Sequence, residues 1–280
     1  MRLDPRTIAG EIGAHIEEEL DYRLEAERQS RFAQLYHGHP FIHVPEVVEQ
    51  LSTGKVLVQE LVRGRAWSEA LAASAQLRDR WAEAIVRFAY GSVNHFRMFN
   101  ADPHPGNYLF HEDGSVSFLD FGCVKIIDEP MTALTTELVR ACLRDDVEAT
   151  WKASVEAGLF RESDPVDGQA VFEYWREPLR WYWDEQPFTI TPEYVAAVTR
   201  RRNSPSGPSA KVLRHLQAAP GATILGRMDT EVMSVIAQLR ASGLWGSIAA
   251  EFYEQQPPIT EMGKAEHDFL ARHPAAIVHA

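Results

Sequence analysis

Asp102-Pro-His-Pro-Gly-Asn107-Tyr-Leu-Phe-His-Glu-Asp-Gly-Ser-Val-Ser-Phe-Leu-Asp120-Phe-Gly122 is the stretch from which the rest of this chain is read. The turn signal Asp113-Gly114 lies midway between Asn107 and Asp120. A two-residue hairpin turn there sets Glu112 opposite Ser115, Phe110 opposite Ser117, Leu109 opposite Phe118 and Asn107 opposite Asp120. Directly opposed residues have Cβ atoms about 4.5–5.5 Å apart, which suits two oxygen ligands of one small hard cation. An amide carbonyl and a carboxylate beside the further carboxylate of Asp102 describe a magnesium site that handles phosphates. In phosphoryl transfer one Asp orients the nucleophile, an Asn five residues later helps hold the metal, and the Asp of Asp-Phe-Gly bridges that metal to the nucleotide. All three occur here in that order. A solvated hairpin with acidic ends explains any one element, but not the conjunction.

Asn100-Ala-Asp-Pro-His-Pro-Gly-Asn107 followed by Phe118-Leu-Asp-Phe-Gly122 resembles the UbiB/AarF atypical kinases, a protein-kinase-like family tied to isoprenoid quinone biosynthesis. Glu19-Leu-Asp21-Tyr-Arg-Leu-Glu25-Ala26 resembles that family's Glu-x-Asp signature and the acidic residue of its C-helix. Phe41–Val48 and Lys55–Val62 resemble its later N-lobe strands and hinge. About the first 130 residues share the resemblance. It implies an α+β, protein-kinase-like fold with a mostly helical C-lobe and a truncated N-lobe of one long helix and a few antiparallel strands. It also implies Asp102 as the catalytic-loop Asp, Asn107 and Asp120 as metal ligands, and Glu25 as the ion-pair partner of an ATP-binding lysine. Glu19 and Asp21 belong to the signature thought to face the active site, and Glu60-Leu61-Val62 is the hinge whose backbone, at Glu60 and Val62, would bind adenine. The cofactors implied are ATP and Mg, and the activity is phosphotransfer or ATP hydrolysis linked to quinone or lipid metabolism. Asn100 stands where many relatives have His, a position that supports the loop.

The family's nucleotide lysine and phosphate-covering loop precede the C-helix, close to where this chain starts, so the expectation is that neither is encoded. None of the five lysines, Lys55, Lys125, Lys152, Lys211 and Lys264, fits that position. Losing one preorganised donor costs phosphoryl transfer about 3–4 kcal/mol. The reading is therefore kinase-like by descent, with self-sufficient activity in question. Two other readings stay open, a non-catalytic kinase-like remnant serving as a binding module and an aminoglycoside- or choline-type small-molecule phosphotransferase. Asp-Phe-Gly-Cys-Val-Lys and the Glu-x-Asp signature favour the UbiB type over the latter.

Composition sets outer bounds. The 280 residues are 45% hydrophobic, enough for a sizeable core, and the net charge of −12 argues against nucleic acid and against non-specific attraction to anionic lipid. Two cysteines, Cys123 and Cys142, form no disulfide framework, which fits a reducing compartment. No apolar run is long enough to span a bilayer, so the expected location is cytoplasmic or peripheral at the inner face of a membrane, with nucleotide and a lipid or quinone-precursor substrate as partners. His95, His104 and His111 lack ligand spacing and are read as structural or surface residues.

Periodicity predicts a helix over 6–36, strands near 41–48 and 55–61 around the Ser52-Thr-Gly54 turn, and helices over 67–98 with Ile85, Phe88, Ala89, Ser92 and Phe96 as a narrow buried stripe. The run Glu17-Glu18-Glu19 is ordinarily a solvated face, and only the resemblance raises Glu19 above that. Helices follow from Pro130 to Leu159, then a linker over 161–168. The aromatic cluster from Phe172 to Phe188 reads as packing rather than a lipid surface, and Arg200–Arg202 complement a helix C-terminus. A helical tail over 229–256 docks on the large lobe, and Pro257–Ala280 is expected to be peripheral. The division expected is an N-lobe remnant over 1–62, a kinase-like C-lobe over 63–160 and a helical C-terminal extension over 161–280.

Overall fold

Ser74 starts the helix around which the molecule is built. Its hydroxyl accepts from Leu77 N at 3.4 Å and opens the 22-residue helix Ala75–Phe96. The helix stops at Arg97, which takes the left-handed conformation (φ 51°) while its N–H caps the Val93 carbonyl. The predicted stripe is buried, from Ser92 at 0% to Ala89 at 7% exposed. The burial is wider than a stripe, since Trp81, Ala82, Ala84, Val86, Arg87, Tyr90 and Val93 are buried as well. A helix covered nearly all round is the central strut of a lobe, and its C-terminus delivers the chain directly to Asn100 and Asp102.

The computed structural model describes residues 21–204, 207, 209–217 and 220–274. The first part of the predicted helix 6–36, Glu19 included, lies outside the described residues. In chain order the described elements begin with α1 (Tyr22–Leu35), β1 (Ile42–His43), α2 (Trp67–Leu71) and α3 (Ala75–Phe96). Next come β2 (Met98–Asn100), β3 (Tyr108–Phe110), β4 (Val116–Phe118) and β5 (Val124–Ile126), followed by α4 (Glu129–Leu143), α5 (Val147–Glu156), α6 (Gly168–Arg176) and α7 (Arg180–Trp183). The chain continues with β6 (Phe188–Thr189), α8 (Pro192–Asn203), α9 (Ala210–His215), α10 (Pro220–Leu239), β7 (Ser242–Gly243), α11 (Trp245–Glu254) and α12 (Glu261–Arg272). Asp side chains cap four of these helices, Asp21 before α1, Asp128 before α4, Asp146 before α5 and Asp167 before α6, each accepting from a backbone N–H of the first turn.

Strands are few and short. β4 lies between β3, antiparallel, and β1, parallel, while β2 pairs with β5 and β6 with β7. The segments expected as strands over 41–48 and 55–61 do run antiparallel, through Val48 N to Val58 O and Glu60 N to Glu46 O, both 2.8 Å. Their pairing is broken by a 3₁₀ turn at Glu49–Leu51, so continuous strands do not form. This architecture, helix-rich with a small mixed sheet, is the kinase-like fold expected.

One main core runs from Phe32 in α1 through Trp81, Phe88, Phe110, Phe118 and Phe121 to Ile236 and Trp245. A second, smaller one gathers Leu138, Leu159, Phe160, Val171, Tyr174 and Val212. Of the aromatic cluster, Phe172, Tyr174, Trp181 and Tyr182 are buried, as the packing reading expects.

The chain end departs from expectation. Instead of lying at the periphery, α12 buries Met262, Glu266 and Phe269. The cause is Arg87, buried on α3 and ringed by Glu83 at 2.9 Å, Glu251 at 2.8 Å and Glu266 at 2.8 Å. A guanidinium removed from water needs such partners, and Glu266 comes from 179 residues further along.

Candidate active site

The hairpin that holds the site differs from the predicted one by a single residue. Tyr108 faces Phe118, Leu109 faces Ser117 and Phe110 faces Val116. The loop has three residues: His111 N donates to Ser115 O at 3.0 Å, and Asp113 Oδ1 accepts from both Ser115 N and Ser115 Oγ. Gly114 closes it in the left-handed region at φ +87°, the geometry of a three-residue hairpin loop. A Cβ at Gly114 would lie 2.5 Å from Arg80 Nε. Gly114→Ala is expected to cost about 1–2 kcal/mol, read as a lower denaturation midpoint with an unchanged slope.

With this register Asn107 stands opposite Leu119, whose N–H donates to Asn107 O at 2.9 Å, so Asn107 and Asp120 are not the directly opposed pair expected. They meet all the same, just beyond the ladder: Asn107 Nδ2 donates to Asp120 Oδ2 at 3.3 Å. The other carboxylate oxygen of Asp120 accepts from Gly122 N at 2.9 Å.

Upstream, Pro103 and Pro105 hold the loop rigid on either side of His104. His104 N donates to Asp102 O at 2.8 Å, Asn107 N to His104 O at 2.9 Å and Gly106 N to His104 Nδ1 at 3.1 Å, making a 3₁₀ turn at Pro105–Asn107. His104 is thus a turn-former. Asn100 ties this loop to Asp-Phe-Gly: its Oδ1 accepts from Asp102 N at 3.0 Å, and its Nδ2 donates to Asp120 O at 2.6 Å. Alongside, β2 pairs with β5 and Ala101 N donates to Cys123 O at 2.7 Å. Asp102, Asn107 and Asp120 therefore belong to one strapped unit, half-buried and open to solvent on one side.

Helix α1 covers that unit. Phe32 packs on Phe121 with ring centroids 4.9 Å apart, and Arg28 Nη1 donates to Gly122 O at 2.6 Å. Glu25 lies at the same turn; its pKa is raised by burial and by the Asp120 carboxylate, against a hydrogen bond from the Phe121 backbone and the charge of Arg28. Among the described residues the cation affecting Glu25 is thus Arg28, where the resemblance implies a lysine. Asp21 caps α1, accepting from Arg23 N, and is exposed. Glu60 pairs with His43 at 3.3 Å on the surface, its N–H already spent on Glu46 O, and Val62 is half-buried beyond it. His111, expected on the surface, is half-buried and contacts Ser117 Oγ at 2.7 Å.

Two features escaped the sequence. On α10, Arg227 pairs with Glu231 at 2.8 Å and feels the charge of Asp102. The thiol of Cys123 is pushed up by burial, and Lys125, Arg227 and Arg28 all act against that rise. The charges of three cations from three elements thus act on the residue that follows Asp-Phe-Gly. An Arg–Glu pair spaced i,i+4 reads as ordinary helix surface, so nothing local marked Arg227 as a site residue.

A helical lobe that presents Asp102, Asn107 and Asp120 from one loop and one hairpin defines a protein of the kinase-like class. The family model described as "ABC1 atypical kinase-like domain" matches residues 1–154, and the chain belongs to that family, which includes the UbiB and AarF-domain kinases. Among curated relatives, it is 32% identical over 129 residues to "Atypical kinase COQ8B, mitochondrial" of Rattus norvegicus, covering 46% of this chain and 24% of the relative. It is 32% identical over 146 residues to "Protein ACTIVITY OF BC1 COMPLEX KINASE 3, chloroplastic" of Arabidopsis thaliana, covering 51% and 20%. It is 32% identical over 171 residues to "Uncharacterized protein Rv0647c" of Mycobacterium tuberculosis, covering 59% and 35%. The matched region thus spans a fifth to about a third of these relatives. Among solved structures, Rv3197 of Mycobacterium tuberculosis, determined in complex with erythromycin, superimposes with a TM-score of 0.76 at 24% identity, over 89% of this chain and 62% of that one. That likeness is one of fold. No helix among the described residues is long and apolar enough to cross a membrane.

Proposed function

We propose that this chain carries the magnesium-nucleotide site of a UbiB-type atypical kinase, serving phosphotransfer or ATP hydrolysis in isoprenoid quinone or lipid metabolism. The observation that carries the reading is the contact of Asn107 with Asp120, held beside Asp102 by the double hydrogen bond of Asn100. The donor set fits magnesium: two carboxylates and an amide oxygen are hard ligands. Asn107 and Asp120 would hold the ion, which when bound neutralises charge on the phosphates. Asp102 would orient the attacking hydroxyl and accept its proton. Arg28, Lys125 and Arg227 offer positive charge beside this unit, of the kind a phosphate group needs.

Within the same reading, Glu60 and Val62 serve as the adenine hinge, Glu19, Asp21 and Glu25 line the nucleotide side, and the lobes divide at 62 and 160. A lipid or quinone-precursor substrate and peripheral attachment at the inner face of a membrane complete it. A second reading, a non-catalytic kinase-like remnant that binds a partner or lipid, is favoured by one observation: among the described residues the cation acting on Glu25 is Arg28.

Melting of the chain with and without magnesium-ATP tests the site itself. Nucleotide at about 100 times its dissociation constant adds about 2.7 kcal/mol of stability, a shift of several degrees. Asp120→Asn should abolish that shift. No shift in the unsubstituted chain at millimolar nucleotide would overturn the proposal, whereas a shift without turnover would favour the second reading.

A further inference from the structure

Glu266 and Phe269 lie three residues apart and so share one face of α12. With Glu266 held by Arg87 at 2.8 Å, Phe269 is set edge-on against the His39 ring, centroids 4.7 Å apart. His39 closes the turn that follows α1, its N–H donating to Tyr36 O at 3.0 Å. The imidazole is fixed on both sides. Its Nδ1 accepts from Phe41 N at 3.4 Å and from Ile42 N at 3.1 Å, while Nε2 lies 3.7 Å from Glu266 Oε1. The His39 side chain is 1% exposed.

From His39 the ring contacts continue without a break. Tyr36 meets it at 5.4 Å, Phe32 stacks with Tyr36 at 6.3 Å, and Phe32 packs on Phe121, the Phe of Asp-Phe-Gly, at 4.9 Å. Each spacing falls in the range of about 4.5–7 Å over which aromatic rings attract one another. Phe32, Tyr36, Phe121 and Phe269 are all buried. Phe88 of α3 braces Phe32 and Tyr36 from the side, at 5.7 and 5.5 Å, and the Tyr36 hydroxyl meets Ser92 Oγ at 2.8 Å. One end of α1 is thus tied to α12. Along its length the same helix carries Arg28, which donates to Gly122 O at 2.6 Å, and Glu25, on which the charge of Asp120 acts.

We propose that α12 is a positioning element of the nucleotide site: Phe269, acting through His39, Tyr36 and Phe32, holds α1 and the Phe121 ring where Arg28 and Glu25 meet Asp-Phe-Gly. The inference rests on the magnesium-nucleotide reading of that site. Glu266 contributes by seating Phe269, and Arg87 by seating Glu266. A contact that served stability alone would leave α12 indifferent to nucleotide and α1 no more mobile than any other helix. The ring column makes both respond.

The experiment compares the full chain with Phe269→Leu, which keeps an apolar side chain and loses the ring, and with Val171→Ala, which weakens the second core from α6. Hydrogen exchange of the α1 amides without nucleotide is expected to quicken in Phe269→Leu and to stay unchanged in Val171→Ala. Calorimetric titration with magnesium-ATP is expected to show about tenfold weaker binding in Phe269→Leu, a size typical of coupling between sites, and parental affinity in Val171→Ala. Because coupling is reciprocal, saturating magnesium-ATP should slow exchange in α12 of the parent and leave α5 as it was. Unchanged α1 exchange in Phe269→Leu, parental nucleotide affinity in that variant, or equal losses in Val171→Ala would each overturn the proposal. Should Phe269→Leu fail to fold, the parent decides, and α12 exchange indifferent to bound nucleotide would overturn it. A parent that binds no magnesium-ATP would overturn the nucleotide reading instead, and the α1 exchange then settles by itself whether α12 holds that helix.

Discussion

Replacing Arg87 with alanine is expected to destabilise the protein by about 3–5 kcal/mol, the cost of leaving a buried charge without its partner. Its side chain is 1% exposed, and it donates to Glu83, Glu251, Glu266 and Thr260. Without it, Glu266, 5% exposed at its side chain, faces Glu251 with no neutralising cation between them. Chemical denaturation would show the loss as a lower midpoint. A loss under about 1 kcal/mol, the scale of a surface pair, would mean that water reaches the cluster.

The same cluster sets the direction of acid sensitivity. Burial raises the pKa of Glu266, but the His39 ring, with Nε2 3.7 Å away, and the charge of Arg87 outweigh it and leave the group below its ordinary value. Burial, only partly offset by Glu266, lowers that of His39, and burial lowers that of His95. In all three the folded state binds fewer protons than the unfolded state, so stability rises with pH through the window where the two differ. The histidine contribution is fully present above the unfolded value of about 6.5 and declines as pH falls toward the folded values. The Glu266 contribution is present above about 4.3 and lost below it. Denaturation midpoints measured from pH 7.5 down to pH 4 are expected to fall, and more steeply for the parent than for a His39→Gln variant. Coincident curves would remove His39 from the account.

The second large effect is expected at Asn100. Asn100→Ala removes one side chain and strands two groups, the Asp102 N–H and the Asp120 carbonyl. A buried polar group left unpaired costs about 1–3 kcal/mol. Stability alone would not distinguish this residue from any other buried amide. The distinguishing readout is nucleotide affinity: release of the strap frees Asp102 and Asp120 to move apart, so the melting shift with magnesium-ATP should shrink beyond what the lower starting temperature explains. A full shift in a destabilised Asn100→Ala would confine its role to folding.

The contiguous part of the site was legible because the chain itself carries the spacing. Asp102, Asn107 and Asp120 fall within nineteen residues, and the local turn chemistry of Pro, Asp and Gly brings them together. The register was read one residue off because a two-residue and a three-residue loop share the Asp-Gly signal; what decides between them is Asp113 accepting twice from Ser115, which spacing does not reveal. Contacts across long separations left no trace. Arg87 looked like one more charge on an amphipathic helix, since its partner Glu266 lies in a segment with few apolar residues and two prolines before it. Arg227 likewise showed only its i,i+4 partner, not the catalytic loop that tertiary packing sets beside it.

Helix α10 carries Arg227, on which the charge of Asp102 acts, and Asp229, which lines a cavity on the other side of the lobe, so one rod borders two compartments. Any occupant that favours one setting of that rod alters the energy of the other compartment, and the linkage is reciprocal. Any molecule that, by filling the cavity, changes nucleotide affinity by some factor must have its own affinity changed by that same factor when nucleotide binds. Helix α10 would thereby make the two compartments ends of a single thermodynamic cycle.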